Sequence, residues 1–556
     1  MYIVNVIPLI KIPFPNPQIL SYFFDKKLKK GALVKISIKK KQINALVVSS
    51  ERLENKKIEI KKSATFKLKP IEKIISANPV LTNKQIDFII WFSRYYFYPL
   101  GPITKLFLPK NLITRKRPIS EYQIPYTFTK KLILTPENKR LIFLPYKNLK
   151  HISIKKAESS KFVSWGRKPY YDTRTLAFYL AKRFKAKIEL NATSFVSVDF
   201  YYLAKRKNYK ISIQQPGNKV KKTKLIDMRQ EIKEGNFSII SRDLKSALEK
   251  YKKAILYIPR RGDSTFIFCR DCGYVLKCSQ CEVPLVLHKR ENKLICHYCN
   301  NEEKPPALCP NCKSYRIKYY GAGTQKVESE IKKILPKIKI FRLDSDVIKN
   351  PASQKKVINQ FNKEKTAILI GTQMIFEKNI RPVELVAVVS IETILNLPDY
   401  RSSERVFEIL SQLKKMSNNL FFVQTYNSEN FVVNCALKNN WKKFYQQEIK
   451  LRKNLNYPPF SQLIKLVFEH KELKRVKTET EILLKKLEFQ ASKLNLLKEK
   501  KVQFLGPSPC FVPKIRKKYR WQIVIKSNIK ELGLRNQLLM TIPSNWHIEI
   551  DPESLL

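Results

Sequence analysis

Glycine and paired acidic residues are scarce in this sequence of 556 residues. None of its 12 glycines is followed by a lysine, so the chain lacks Gly-x-x-x-x-Gly-Lys-Ser/Thr, the P-loop that cradles nucleotide phosphates. No Asp-Glu dipeptide occurs either, so the acidic pair that usually holds Mg²⁺ beside such a loop is missing. These absences predict that the chain does not bind ATP and has no catalytic residues.

Long apolar runs are also missing. No stretch of about 18 apolar residues occurs, so we expect no segment that spans a membrane. The N-terminus, "MYIVNVIPLIKIPF", lacks the basic region and small-residue cleavage site of a signal peptide. We therefore expect a cytoplasmic protein.

The charge is strongly unbalanced. The sequence has 108 Lys and Arg residues against 46 Asp and Glu residues, a net charge of +62. Such a surface attracts polyanions, because each cation that meets a phosphate releases a condensed counterion. An AT-rich genome would also enrich lysine, isoleucine and asparagine, so part of the excess carries no functional meaning. Nucleic acid is the expected partner.

Eight of the ten cysteines form four Cys-x-x-Cys pairs within one short segment. A disulfide scaffold is disfavoured in a reducing cytosol, whereas each pair can offer two thiolates to one zinc ion. Two pairs complete a tetrahedral site, so the segment predicts two zinc ions. Because the protein supplies all four ligands of each ion, we expect both zinc ions to be structural.

The spacing favours a nested arrangement of these pairs. The 14 residues between the second and third pairs, "EVPLVLHKRENKLI", read as two short strands around a polar turn that brings the inner pairs together. A sequential arrangement remains possible, although the five-residue gap "GYVLK" is short for a ribbon. In the nested arrangement zinc 1 is held by Cys269, Cys272, Cys309 and Cys312, and zinc 2 by Cys278, Cys281, Cys296 and Cys299. Eight thiolates saturate two ions, so neither His288 nor His297 is expected to be a ligand.

The remaining pattern is that of a mixed α/β chain. Strand-like segments open the sequence and are followed by a helix from Asn83 with a capping-box start, Thr82-x-x-Gln85. From residue 132, short apolar strands such as "LILTP" and "RLIFLP" alternate with helical stretches, before and after the cysteine segment. Residues 460–556 read as βαββαβ, a small α+β domain.

Several colinear motifs resemble the PriA family of replication-restart helicases. They include "IPRRG" (258–262) before the first cysteine pair, "GAGTQKVESEI" (321–331) and "NLPDYRSSERVFEILSQ" (396–412). "LNYPPF" (455–460) and the closing "DPESLL" extend the resemblance over most of the chain.

The resemblance implies a multidomain α/β fold. It predicts an N-terminal mostly-β DNA-binding domain, degenerate RecA-like helicase lobes with an inserted zinc-ribbon module, and a C-terminal α+β domain. The implied boundaries are a 3′-DNA-end-binding-like domain at 1–108, a linker at 109–131 where a winged helix is deleted, a remnant of lobe 1 at 132–210, a lobe 2 at 211–430 with a zinc insert at 266–316, and a C-terminal domain at 431–556.

The positions that resemble the family's motor motifs are altered. The acidic motif is replaced by Lys155-Lys156-Ala157-Glu158, and the Ser-Ala-Thr motif reads "NAT" at 191–193. The segment that should supply an arginine finger reads "LKKMSNN". We therefore predict a degenerate family member that is not an enzyme.

The resemblance also suggests DNA contacts. Leu20, Ser21 and Lys39 stand where the family's 3′-end pocket carries an aromatic, an acid and a glycine, and Lys69 matches its lysine. A second set suits phosphate contact with base stacking: Arg516, Lys517, Lys518, Tyr519, Arg520 and Trp521. A solvated basic strand beside a core tryptophan would give the same pattern. The lysine run at 26–41 reads as a solvated face.

The predicted function is binding of forked, branched or single-stranded DNA in a replication-restart primosome, without helicase activity. The family resemblance implies other primosome proteins, single-stranded-DNA-binding protein and the replicative helicase loader as partners of a nucleoid-associated monomer. Two alternatives are a zinc-ribbon RNA-binding protein of the translation machinery and a residual helicase subunit that needs an ATPase partner.

Overall fold

The computed structural model describes most of the chain. The described residues are 1–53, 68–113, 122–164, 168–213, 222–259, 265–281, 283–288, 291–319, 323–376 and 379–556. Residues 114–121 of the predicted linker, and parts of the motifs at 258–262 and 321–331, lie outside these ranges. None of the helices in the described ranges has both the length and the apolar character that a bilayer crossing requires.

The described ranges contain strands and helices throughout. The strands are β1 (Tyr2–Pro8), β2 (Leu20–Phe24), β3 (Leu33–Ile38), β4 (Lys41–Arg52), β5 (Lys69–Pro70), β6 (Lys73–Ser76), β7 (Lys131–Leu134), β8 (His151–Lys155), β9 (Lys187–Ala192), β10 (Lys210–Ile213), β11 (Lys222–Asp227), β12 (Lys253–Tyr257), β13 (Thr265–Cys269), β14 (Val286–His288), β15 (Lys293–Ile295), β16 (Glu302–Glu303), β17 (Ile317–Tyr319), β18 (Ile340–Leu343), β19 (Ala367–Gly371), β20 (Val383–Val388), β21 (Ser417–Thr425), β22 (Gln462–His470), β23 (Val502–Ile515), β24 (Lys518–Ser527) and β25 (His547–Ile550). The α-helices are α1 (Asn83–Tyr96), α2 (Leu100–Phe107), α3 (Lys110–Ile113), α4 (Thr173–Phe184), α5 (Val198–Arg206), α6 (Met228–Lys233), α7 (Arg242–Lys250), α8 (Thr324–Ile334), α9 (Pro351–Lys363), α10 (Glu392–Leu395), α11 (Ser402–Lys415), α12 (Phe431–Leu437), α13 (Trp441–Asn454), α14 (Leu473–Lys493) and α15 (Leu532–Leu539).

The first six strands form a closed barrel. Their order is β5-β2-β1-β4-β3-β6, and the short link from β5 to β6 bonds to β2 on one side and to β3 on the other. The N–H of Ile71 donates to the carbonyl of Phe23 (3.0 Å), and the N–H of Glu72 donates to that of Lys35 (3.0 Å). Closure removes the unpaired edges that a small sheet would expose. Val4, which is fully buried, belongs to the apolar interior.

Helix α1 begins where the sequence predicts. The N–H of Gln85 donates to Thr82 Oγ1 (3.1 Å), and Gln85 Oε1 accepts from the N–H of Thr82 (3.0 Å). This reciprocal capping box satisfies two backbone donors that the helix cannot pair itself. The same glutamine donates to the carbonyl of Phe143 (2.9 Å), so the cap also joins the N-terminal domain to the α/β region.

Two parallel sheets follow the barrel. The first has the order β10-β9-β8-β7 and the second the order β11-β21-β20-β12-β19-β18. Strands of the second sheet are nearly continuous apolar runs, as expected where helices cover both faces: all five residues of β19 are buried. The N-terminal helices, the first sheet and the C-terminal domain share one hydrophobic core, whereas the second sheet has its own.

The cysteine segment is inserted between β12 and β18 of the second sheet. It forms a five-stranded sheet of order β16-β15-β14-β13-β17, and the predicted hairpin between the inner cysteine pairs is β14 and β15. After α13 the chain forms the predicted βαββαβ unit, a sheet of order β23-β24-β22-β25 with α14 and α15. The predicted fold class is therefore confirmed, while the domain boundaries themselves remain predictions.

One predicted strand is wrong. The segment "RLIFLP" forms a 3₁₀ turn over Lys139–Phe143 instead of a strand. Asn138 ends β7 early by accepting from the N–H of Thr135 (2.6 Å), and the hydroxyl of Tyr146 donates to the carbonyl of Leu141 (2.8 Å). These side-chain bonds replace the ladder bonds that a strand would need. An apolar run alone could not reveal them.

A buried ionic network joins the two parallel-sheet regions. Arg452 on α13 is 1% exposed and uses three nitrogens to contact three carboxylates. These are Asp199 on α5 (2.9 Å), Glu404 on α11 (2.7 Å) and Glu448 on α13 (2.9 Å). Arg401 adds a contact to Asp199 (2.5 Å). Because α5 belongs to the first sheet and α11 to the second, this network fixes their relative placement.

Arg452→Met should therefore be strongly destabilising. The change leaves three carboxylates with one cation fewer in a low-dielectric interior, which costs about 3–5 kcal/mol. Urea unfolding followed by circular dichroism measures the loss. The matched control is Arg242→Met, whose ion pair with Glu234 is 54% exposed on both sides and worth at most about 1 kcal/mol. Equal shifts in the two variants would contradict the assigned role of Arg452.

Candidate metal centres and nucleic-acid surfaces

All four Cys-x-x-Cys pairs adopt the same backbone turn. In each, the N–H of the first cysteine donates to the carbonyl five residues later. The four bonds are Cys269 to Tyr274 (2.8 Å), Cys278 to Val283 (2.8 Å), Cys296 to Asn301 (2.9 Å) and Cys309 to Ser314 (2.8 Å). Three of the turns place a residue in the left-handed region directly after the second cysteine: Gly273 (φ 76°), Asn300 (φ 62°) and Lys313 (φ 59°). This repeated geometry directs both thiols of a pair to one point.

The turns meet in the nested arrangement. Cys269, Cys272, Cys309 and Cys312 form one cluster, and Cys278, Cys281, Cys296 and Cys299 form the other, with the sulfurs of each set within 4.8 Å of one another. The sulfurs of Cys269 and Cys312 are 3.6 Å apart, and those of Cys272 and Cys309 are 3.7 Å apart. A tetrahedron with Zn–S bonds of about 2.3 Å has sulfur–sulfur edges of about 3.8 Å. The two clusters therefore fit two structural zinc ions.

The thiol of Cys272 is prepared for ionisation. Burial alone would raise its pKa, but hydrogen bonds from the side chain of Asn311 and the N–H of Tyr274 outweigh that effect and lower the pKa to about 7. Zinc binds thiolates, and metal uptake at this site must also ionise Cys269, whose pKa burial raises to about 12.

The zinc module is fixed to the second sheet through Tyr426. Gly273 approaches so closely that a Cβ there would lie 2.6 Å from the carbonyl oxygen of Tyr426, which explains the glycine at this positive φ. Phe268 packs edge-on against the Tyr426 ring at 5.2 Å. The module cannot shift relative to this sheet without breaking those contacts.

His297 fixes the module to the C-terminal domain. Its Nδ1 donates to the carbonyl of Pro509 (2.7 Å), because a carbonyl can only accept, and its own carbonyl accepts from Ser508 Oγ (2.7 Å). Burial lowers the pKa of His297 to about 4, so its Nε2 is unprotonated and accepts from His288 Nε2 (3.2 Å). Neither histidine is among the clustered ligands.

The predicted 3′-end pocket residues lie around Tyr22 of the barrel. Lys69 on β5 is exposed and pairs across the ladder with Tyr22, which directly follows Leu20 and Ser21 on β2. The hydroxyl of Tyr22 donates to the carbonyl of Ser37 (3.0 Å), two residues before the exposed Lys39 in the β3–β4 turn. Tyr22 thus connects β2, which carries Leu20 and Ser21, with β5 and with the end of β3 before Lys39.

The second set of predicted DNA contacts, residues 516–521, lies partly on an exposed hairpin and partly in the core. Arg516 and Lys517 are exposed at the tip of the β23–β24 hairpin, both at positive φ. Lys518 pairs with Glu469 (3.1 Å), and Tyr519 lies under Lys514 Nζ at 4.3 Å. Trp521 is only 6% exposed and packs in the hydrophobic core, so its ring cannot stack on a base. Arg520, half-buried on the same strand, stays a predicted contact.

Three family models match parts of the chain. Residues 9–109 match the PriA 3′DNA-binding domain, residues 278–304 match the PriA DNA helicase Cys-rich region domain, and residues 453–553 match the Primosomal protein N C-terminal domain. The Replication restart protein PriA of Borreliella burgdorferi is 33% identical over 433 residues, which cover 75% of this chain and 64% of that protein. The chain belongs to the PriA family.

Other PriA proteins give the same result. Replication restart protein PriA of Bacillus subtilis is 32% identical over 428 residues, covering 75% of this chain and 52% of that protein. The Thermotoga maritima protein of the same name is 29% identical over 426 residues, covering 74% and 55%. This chain thus spans about half to two thirds of the length of these PriA relatives.

A solved DEAD box protein from Methanococcus jannaschii shares 12% sequence identity and covers 57% of this chain and 61% of its own. Its TM-score of 0.25 is too low to support any argument about the PriA-family chain.

The comparisons with the PriA family contradict the prediction that this chain is not an enzyme. The PriA model that matches its Cys-rich region is described as that of a DNA helicase, and the relatives that cover 75% of the chain are named Replication restart protein PriA. The prediction rested on consensus residues that are missing from the sequence. The absence of a consensus motif shows that one residue pattern is missing, and it does not show that the chain lacks enzymatic activity.

The zinc sites of this PriA-family chain can be counted directly. Purified protein should carry two zinc ions per chain, and Cys281→Ser should reduce the content to about one, because three thiolates hold zinc far less tightly than four. Atomic emission on the dialysed protein measures the ratio. Cys435→Ala is the matched control, since Cys435 is buried on α12 outside both clusters. A content of two zinc ions in Cys281→Ser would contradict the assignment.

Proposed function

We propose that this chain acts in replication restart by binding forked or single-stranded DNA. The observation that carries the proposal is the match of residues 9–109 to the PriA 3′DNA-binding domain, on a barrel that exposes Lys39 and Lys69. The net charge of +62 supports the same partner, since phosphate neutralisation drives such binding.

The two ends of the chain supply separate DNA contacts in this proposal. The N-terminal barrel meets a strand end near Lys39 and Lys69, and the β23–β24 hairpin meets phosphates through Arg516 and Lys517. The altered positions Leu20 and Ser21 lack the family's acidic group, so basic side chains and phosphate dominate the contact. Separate domains, with the boundaries predicted from the sequence, would let the chain touch two arms of a fork.

The zinc module serves assembly in this proposal. Its two closed four-cysteine sites leave no open position for chemistry, and its contacts to Tyr426 and Pro509 tie the second sheet to the C-terminal domain. Other primosome proteins, the single-stranded-DNA-binding protein and the helicase loader are its proposed partners, met by a nucleoid-associated monomer.

A competition assay tests the DNA preference. Zinc-loaded protein at about 150 mM salt should bind a fork with single-stranded arms more tightly than a structured RNA of equal charge, because the salt-dependent term then cancels between the two probes. Fluorescence anisotropy with both probes measures the ratio. Tighter binding of the RNA would overturn the proposal in favour of the RNA-binding alternative.

Lysine substitutions test the contacts themselves. Lys39→Gln with Lys69→Gln should reduce the slope of log affinity against log salt by about 1.4–1.8, since each lost phosphate contact contributes about 0.7–0.9. Arg516→Gln with Lys517→Gln should reduce this slope by the same amount, because the tip of the β23–β24 hairpin then loses two phosphate contacts. The control pair is Lys355→Gln with Lys356→Gln on the exposed face of α9, where the slope should stay unchanged. Equal slopes in all three variants would remove both surfaces from the proposal.

A further inference from the structure

A basic groove lies on the N-terminal domain where the barrel, the start of α1 and the segment after residue 121 meet. Its volume is about 510 Å³, within the roughly 300–1,000 Å³ typical of ligand sites. Lys27, Lys29, Lys30, Ser50 and Tyr126 are among the residues that line it. None of the described residues that line this groove is acidic.

The lysines stand on a fixed loop. Leu28 between them is 6% exposed, and its N–H donates to Ser50 Oγ (3.2 Å). Gly31 donates its N–H to Val47 (2.8 Å) and accepts from the N–H of Val80 (2.7 Å). At Gly31, with φ +89°, a Cβ would lie 2.5 Å from the carbonyl oxygen of Leu81. The sequence pattern alone reads as a solvated face, and in the structure the backbone that carries these lysines is fixed at Leu28 and Gly31.

Within the described ranges, Asp87 is the one carboxylate that forms an ion pair with these lysines. Lys30 lies 3.7 Å from Asp87, but the same carboxylate is bound by Arg183 at 2.6 Å. One carboxylate therefore serves two cations. Neutralisation of the excess charge by an external anion is favourable, most of all by several linked anions.

Tyr126 gives the groove an aromatic wall. Its ring is 44% exposed, and the next residue, Thr127, is held by a bond from its N–H to Pro145 (2.9 Å) and one from Lys147 (3.2 Å). Phe128 is 68% exposed, with Lys147 Nζ 5.4 Å from its ring centroid. Cations beside an exposed, positioned aromatic ring are the pattern of a single-strand binding surface.

Polar side chains connect this groove to the position of the predicted 3′-end pocket. Ser21 Oγ donates to Asn5 Oδ1 (2.7 Å), and Asn5 Nδ2 donates to Ser49 Oγ (2.9 Å), which lines the groove. These residues lie on the adjacent strands β2, β1 and β4, so two strand spacings of about 4.8 Å separate Ser21 from the groove. A strand that ends near Ser21 can continue into the groove within one or two nucleotides.

We propose that this groove binds the backbone of a DNA single strand, with Lys27, Lys29 and Lys30 on its phosphates and Tyr126 stacked on an unpaired base. The inference rests on the proposed DNA-binding function and adds a site outside the pocket positions. A single strand is favoured over a duplex because a stacked ring needs a base that is not already paired.

The test uses the zinc-loaded full chain and a fluorescent oligothymidylate of about 15 nucleotides, with a duplex of equal length beside it. Lys27→Gln, Lys29→Gln and Lys30→Gln together should reduce the salt slope for the oligothymidylate by about 2, at about 0.7 for each phosphate contact. The matched control removes three exposed lysines of α9, Lys355, Lys356 and Lys363, and should leave the slope unchanged.

Separate variants test whether the Tyr126 ring stacks on a base. Tyr126→Leu should weaken oligothymidylate binding about 5- to 100-fold with an unchanged salt slope, whereas Tyr126→Phe should retain the affinity. Thermal melting of each variant confirms that the fold is retained.

The outcomes separate this inference from the function it rests on. If wild-type protein binds neither the fork nor the oligothymidylate, the proposed function itself fails. If wild-type protein binds both and the triple variant matches its control, the groove assignment alone is overturned. An equal loss on duplex and single strand would overturn the assignment to a single strand.

Discussion

The relative placement of the two parallel sheets depends on the buried ion pairs of Arg452. Its guanidinium is 1% exposed and lies between carboxylates of α5, α11 and α13, so one side chain joins the first parallel sheet, the second parallel sheet and the helix that leads to the C-terminal domain. Burial of such a cluster is tolerated only when every charge has a partner, because the low-dielectric interior makes an unpaired charge costly. The chain has only 46 acidic residues, and several of them are used here, inside the protein.

That internal use of carboxylates shapes the surface. Acidic groups held against buried arginines cannot neutralise the exposed lysines of the barrel and of the C-terminal hairpin. The zinc module has a similar structural role: its four turns, closed by the same backbone hydrogen bond, hold two clusters, and His297 and Tyr426 connect it to the C-terminal domain and to the second sheet. The result is a protein whose internal ionic and metal sites fix its parts, while Lys39, Lys69, Arg516 and Lys517 remain exposed.

The sequence predicted the features whose cause is local. Cys-x-x-Cys spacing implied both clusters, because each turn closes within six residues, and the Thr82–Gln85 capping box marked the start of α1. Long-range contacts were not predictable: nothing near Arg452 in the sequence announces Asp199, 253 positions away. The burial of Trp521 and the fixing of the lysine loop by Ser50 and Val80 also depend on contacts between residues far apart in the sequence. The segment at 140–145 shows the converse, where apolar residues predicted a strand and side-chain bonds from Asn138 and Tyr146 imposed a turn.

The central claim is that a PriA-family frame presents DNA-binding surfaces at both ends of the chain. Hydroxyl-radical footprinting of the zinc-loaded protein, with and without a forked DNA, tests it most directly because protection is read residue by residue. The account predicts protection at the lysine-bearing turns of the N-terminal barrel and at the tip of the β23–β24 hairpin. Protection confined to the two parallel sheets, with both ends unchanged, would contradict it.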